Sequence, residues 1–338
     1  MPSIPTATRT TEPPPEEERV SGGRPAWNRW LLRAGQALLA VAVVYFAATK
    51  LAGEWSEVRV AAASLSPRWE LVAASCFVVL VIYAVLVAVW CVALTGWNAR
   101  LPYWPAARVW MISNLGKYVP GKVWTIGTMI MMTQKYGISP LAAGGSSVLT
   151  TATATVTGFA VVALTGAHVL PIPFDWLLAI WIVGAGLLAV PVVLPRLGTI
   201  ASRLTGRSIV LPPLHAWVMI RLIAGTALSW CLYGVAFQLL ALGLLGHAAG
   251  SPLLYIAIFA GSYLIGFLAV FAPGGLVVRE GVMVTALATA GFSPGAAVVL
   301  AVASRLWLTV LEILPALVFL AIRPGHRPGS VNPEHGAS

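Results

Sequence analysis

The chain has 338 residues, of which 59% are hydrophobic and 9% charged, and its mean hydropathy is +0.86. A soluble core could not bury that much apolar surface, so the composition excludes a soluble globular domain and indicates an integral membrane protein. The formal net charge of +10 does not point to nucleic acid, because the basic residues cluster between apolar runs, where they set topology and attract anionic headgroups.

Residues 1–26 form a Thr/Pro/Glu-rich tail around Pro13-Pro14-Pro15-Glu16-Glu17-Glu18, too poor in apolar side chains to offset chain entropy and therefore expected to be disordered. A signal peptide is the competing reading of the N-terminal region. The run from Leu31 to Thr49 is instead long enough to span a bilayer, has Arg29 and Arg33 at its front and lacks an evident cleavage site, so it reads as a retained first helix. Further apolar spans run from Leu71 to Leu94, Leu141 to Gly166, Phe174 to Leu194 and Trp217 to Leu245. Leu253 to Phe271 leads into a break, Leu276 to Ala290 returns from it, and Gly295 to Ile322 closes the bundle.

The stretch from Tyr103 to Tyr136 carries Arg108, Lys117, Lys122 and Lys135 among bulky apolar residues. It is too charged for a simple span and too apolar for an ordinary loop. Irregular backbone at membrane depth survives only where protein or a wet cavity satisfies it, which suggests a re-entrant hairpin. Its Lys117-Tyr118-Val119-Pro120-Gly121-Lys122-Val123-Trp124 step leads to Gly137-Ile138-Ser139-Pro140. A second break, Pro273-Gly274-Gly275-Leu276-Val277-Val278-Arg279-Glu280-Gly281, leads to Gly291-Phe292-Ser293-Pro294. The offsets from Pro120 to Gly137 and from Pro273 to Gly291 are 17 and 18 positions. Paired interruptions in two halves, here about 70–170 and 215–322, are a pointer to a transporter binding site.

The fold class is therefore an all-α polytopic membrane protein, a helical bundle of two half-repeats, each with a Pro-Gly-broken re-entrant hairpin. Loop charges place Arg24, Arg29 and Arg33, the 100–135 region and Arg196, Arg203 and Arg207 on the cytoplasmic side. The expected location is the plasma membrane, with both termini, including the tail 323–338, in the cytoplasm. Counting crossings makes the halves inverted copies; a parallel arrangement, with Leu276 to Ala290 dipping from inside, is the alternative.

A helix restarting after Pro-Gly presents free N–H groups and a positive dipole end, which favour phosphate or carboxylate. Lys117 and Lys122 bracket the first break and Arg279 lies about one turn into the second half-helix, so the implied ligand is an anionic lipid headgroup; the bland reading is that the lysines snorkel and mark topology. Tyr118 and Trp124 suit headgroup level. Arg305 stands near the middle of the last span, where a charge costs about 2.5–3.5 kcal/mol on insertion scales, and Glu312 shares its face two turns on. Glu280 is the expected partner of Arg305, and Arg221 a candidate partner for Glu312; a purely structural ion network is the alternative. Gly144-Gly145-Ser146-Ser147 and the following threonines favour close helix packing over a polar path. Cys76, Cys91 and Cys231 lie inside apolar runs and the five histidines are scattered, so neither metal nor cofactor is expected.

The Lys117–Trp124 and Pro273–Gly281 phrases resemble the two signature segments of the lysylphosphatidylglycerol synthase transmembrane-region family, flippase-like membrane proteins, over residues 27 to 322. The family pattern usually has Gly where this chain has Val277. Family members also often carry an acidic residue where this chain has Ser146-Ser147-Val148-Leu149-Thr150-Thr151, which puts any ionic role of that helix in doubt. Aminoacyl transfer belongs to a separate soluble domain in the two-part enzyme. About sixteen residues follow Ile322, and no catalytic constellation is evident, so such enzymatic activity is not expected. The resemblance implies movement of an anionic or modified lipid, a phospholipid or a polyprenyl-phosphate-linked one, between leaflets. Two other readings are a non-transporting membrane partner of a separately encoded glycosyltransferase or lipid synthase, and an intramembrane transferase acting on lipid-linked sugars.

Overall fold

The computed structural model describes residues 67–118, 123–166, 214–247, 250–269 and 277–322, with isolated positions between 182 and 203. The expected tails 1–26 and 323–338, the first helix from Leu31 to Thr49, most of Phe174 to Leu194, and the Pro-Gly tips lie outside these residues. Among the described residues every regular element is helical. Helix α1 (Trp69–Thr95) precedes α2 (Tyr103–Asn114), which tightens into a 3-10 turn (Leu115–Tyr118); α3 (Val123–Gln134) and α4 (Pro140–Gly166) follow. The second series is α5 (Ala216–Leu245), α6 (Pro252–Leu268), α7 (Val278–Thr289) and α8 (Pro294–Ala321).

Helices α1, α4, α5 and α8 have 27 to 30 residues each and are apolar enough to cross a membrane. At 1.5 Å per residue they reach about 40 Å, against ~30 Å of hydrocarbon. Large apolar side chains remain exposed along them, including Phe77, Ile220, Leu306, Leu314 and Val318, a surface that suits lipid and not water. The stretch from Tyr103 to Tyr136 resolves into two helices of 12 residues each, joined through the 3-10 turn and residues outside the described set. α6 and α7, of 17 and 12 residues, form the corresponding pair in the second series.

The twin Gly-x-Ser-Pro phrases build the same turn twice. Gly137 and Gly291 adopt φ of 74° and 91°, the left-handed region that glycine enters without a Cβ clash. Ser139 and Ser293 then accept hydrogen bonds from the backbone N–H of Ala142 and Ala296 at 3.2 and 3.3 Å. Pro140 and Pro294 take the first helical position, where a missing N–H removes nothing. Each phrase thus ends a short helix and caps a long one.

Contacts fix the directions of the helices. α1 and α5 run antiparallel over their whole length: the Arg68 N–H donates to the Gly243 carbonyl at 2.8 Å and Ser75 Oγ to the Ala236 carbonyl at 2.7 Å. Val89 fits over Gly225, and Leu214 lies against Gly96. α4 starts beside the end of α1, where Trp90 Nε1 donates to Ser146 Oγ at 3.2 Å and Trp97 covers Gly145. α6 packs antiparallel to α4, with Leu264 against Gly158 and Val162 against Gly261. α8 packs antiparallel to α2: Arg108 donates to the Ile322 carbonyl and Lys117 pairs with Glu312. The base of the α2/α3 pair therefore sits where α1 ends, among Leu94, Leu101 and Ile138. The base of the α6/α7 pair sits at the other end of the bundle, where Phe292 meets Tyr255. The largest core cluster joins the two regions through Tyr83, Phe237, Phe259, Met283 and Leu308.

The hydroxyl-rich face of α4 is used for packing. Thr150, Thr151 and Thr157 donate to the carbonyls of Ser146, Ser147 and Thr153, which satisfies these three hydroxyls inside their own helix, while the buried Thr153 Oγ1 has no hydrogen-bond partner among the described residues. Thr157 Oγ1 also donates to Thr226 Oγ1 of α5 at 2.9 Å.

Candidate anion site at mid-depth of the bundle

Position along α8 sets the depth of the site. Arg305 follows Pro294 by eleven residues in a helix of 28, about 17 Å along its axis, and Glu312 lies two turns further on the same face. Glu312 is buried, whereas Leu306 and Val310 are exposed. The charged face of α8 therefore looks into the protein. The chain closes against it with the 3-10 turn of the first series and the start of α7 from the second.

Lys117, in the 3-10 turn, places Nζ 2.5 Å from Glu312 Oε1. This ion pair links residues 195 positions apart and joins the first hairpin to the last helix. Arg305 Nη1 lies 3.6 Å from Glu280 Oε1, close enough for Coulombic attraction but too long for a hydrogen bond. Neither Glu280 oxygen has a hydrogen-bond partner among the described residues. The expected Arg305–Glu280 partnership is therefore present as a loose ion pair.

Arg279 is the second residue of α7, and it is only 4% exposed. Its guanidinium lies 5.2 Å from the ring centroid of Phe259 and 5.3 Å from that of Tyr263, both on α6. Its Nε and Nη2 have no hydrogen-bond partner among the described residues. The backbone is drawn close here, since a Cβ on Gly266 would fall 2.7 Å from Arg279 Cβ. Immediately before the helix Val277 adopts φ 67° and ψ −41°, a conformation that a β-branched residue reaches only under strain. The Gly281 N–H donates to the Val277 carbonyl at 2.8 Å, which closes the first turn.

The other sequence-predicted site residues fall in different places. Arg221 does not join Glu312. It is exposed on α5 with its guanidinium 4.6 Å from the ring centroid of Trp217, and Lys117 pairs with the carboxylate instead. Trp124 is the second residue of α3 and is 56% exposed. Tyr118 ends the 3-10 turn. Pro120, Gly121, Lys122, Pro273, Gly274 and Gly275 lie outside the described residues. Phe259 and Tyr263 do not stand out in the sequence. Their one signal is an aromatic stripe at 255, 259 and 263, one residue per turn on a helix that otherwise reads as an ordinary apolar span.

Three cations, Lys117, Arg279 and Arg305, thus face two carboxylates, Glu280 and Glu312, inside an apolar bundle. Among the described residues the three cations share two carboxylates, so the cluster carries one more positive than negative charge. An isolated charge in such a medium is strongly disfavoured without a counterion. The arrangement can hold an anion. No protein-family model matches the chain, and no curated protein matches it.

Proposed function

We propose that this protein is an integral membrane carrier that moves an anionic or modified lipid between leaflets, holding the headgroup at the mid-depth cluster. One observation carries the reading: Arg279, 4% exposed, offers two donor groups without a hydrogen-bond partner among the described residues at the start of the short helix α7 in the middle of the bundle. Discontinuous helices that meet near the bilayer midplane at the junction of two halves are a recurrent substrate site of carriers. Here α2/α3 and α6/α7 enter from opposite ends, as inverted copies require, and the Lys117–Glu312 pair ties the first hairpin to the last helix of the second half. Breaking and remaking that pair is a means of alternating access. The resemblance of the two Pro-Gly phrases to flippase-like proteins agrees with the reading, and the plasma membrane is the expected location.

The test is headgroup movement in proteoliposomes made with the full chain. Wild type is expected to accelerate transfer of a labelled anionic phospholipid over protein-free vesicles, and a Lys122→Ala/Arg279→Ala double variant to lose that acceleration. Equal rates for the two proteins would remove the site.

A further inference from the structure

We infer that the mid-depth site is selective for a phosphodiester carrying a single negative charge, gripped side-on by Arg279, and that it rejects pyrophosphate-linked lipids. The inference rests on the carrier reading and narrows its substrate. The two unpartnered donors of Arg279, Nε and Nη2, form one edge of the guanidinium, with their N–H bonds pointing the same way. That edge matches two non-bridging oxygens on one phosphorus, the bidentate geometry that makes Arg the favoured phosphate ligand. The edge is held in place: Phe259 and Tyr263 lie beside the guanidinium, and the close approach at Gly266 pins the backbone.

Charge sets the valence. Between residues 71 and 322 the carboxylates of the chain are Asp175, Glu280 and Glu312. Glu280 and Glu312 already face Arg305 and Lys117, and Asp175 lies outside the described residues. Among the described residues, a phosphodiester adds the one negative charge that neutralises the cluster. A pyrophosphate brings at least one more, next to two carboxylates in a low-dielectric interior, where like charges repel strongly. Two lipid classes share the accepted chemistry, glycerophospholipids such as phosphatidylglycerol and polyprenyl-phosphate monosaccharides.

The experiment is a thermal-unfolding titration of the purified full chain with three soluble probes: dihexanoyl phosphatidylglycerol, a short-chain polyprenyl-phosphate monosaccharide and farnesyl pyrophosphate. At least one phosphodiester is expected to bind about tenfold more tightly than the pyrophosphate, and which of the two does so names the source. Arg279→Lys, which keeps the charge but loses the fork, is expected to lose about tenfold in phosphodiester affinity. Glu280→Gln adds one positive charge to the cluster and is expected to move the preference toward farnesyl pyrophosphate. Pyrophosphate binding as tight as phosphodiester binding in wild type, or an unchanged preference in Glu280→Gln, overturns the inference. Selective binding without lipid movement in vesicles removes the carrier reading and leaves the ligand assignment standing; movement that ignores headgroup charge does the reverse.

Discussion

Val277 and Arg279 are two residues apart and have opposite energetic characters. Val277 holds φ 67°, which costs about 1–3 kcal/mol for a non-glycine residue. Val277→Gly should release part of that strain, offset by the lost side-chain burial, and raise stability by about 1 kcal/mol; a lower thermal midpoint in detergent would show that the backbone there is relaxed. Lys117 is the other residue with a measurable energy. Its side chain is 31% exposed and that of Glu312 10%, so solvent screens the pair in part. Lys117→Met removes the cation that pairs with the buried carboxylate and should cost about 2 kcal/mol, while Lys117→Met/Glu312→Leu recovers most of the loss because an apolar pair is a good substitute for a buried ion pair. A double variant no more stable than the single would mean that Glu312 has other support.

At the scale of elements, close approach depends on small residues at particular crossings. A Cβ on Gly234 would fall 2.7 Å from the backbone nitrogen of Ile256 and closer still to its Cα, so α5 and α6 touch backbone to backbone. Gly234→Val should push them apart and lower stability by about 2 kcal/mol or more, read as a lower unfolding midpoint; an unchanged midpoint would mean that the crossing is loose. The spans of α1, α4, α5 and α8 were legible in the sequence because a membrane helix is an uninterrupted apolar run. The twin capped turns were legible too, since Gly-x-Ser-Pro carries its own local chemistry. Pairings across the bundle were not. Lys117 and Glu312 are 195 residues apart, and no local pattern tells Lys117 from Arg221 as the partner of that carboxylate. The aromatic stripe beside Arg279 was hidden for the same reason: in a span that is apolar on all sides, periodicity no longer distinguishes a functional face.

For the whole molecule, the contacts put the bases of the two short-helix pairs at opposite ends of the bundle, so they should open to opposite sides of the membrane. Single cysteines at Lys135 and Thr289, both exposed, test this in intact cells. An impermeant maleimide should label Thr289→Cys from outside and Lys135→Cys only after permeabilisation, and labelling of both from one side would contradict the arrangement. On the proposed carrier function, opposite entry would let one site serve two leaflets in turn, and the cluster around Arg279 lies where helices of both series meet. The most direct measurement is the rate at which headgroup-labelled phosphatidylglycerol becomes accessible to an impermeant quencher in vesicles holding wild type or Arg279→Lys. Wild type is expected to exceed protein-free vesicles by about tenfold or more and Arg279→Lys to fall near the protein-free rate, with both proteins folded. Equal rates for wild type and variant, or a wild-type rate no faster than bare lipid, would contradict a headgroup site at Arg279.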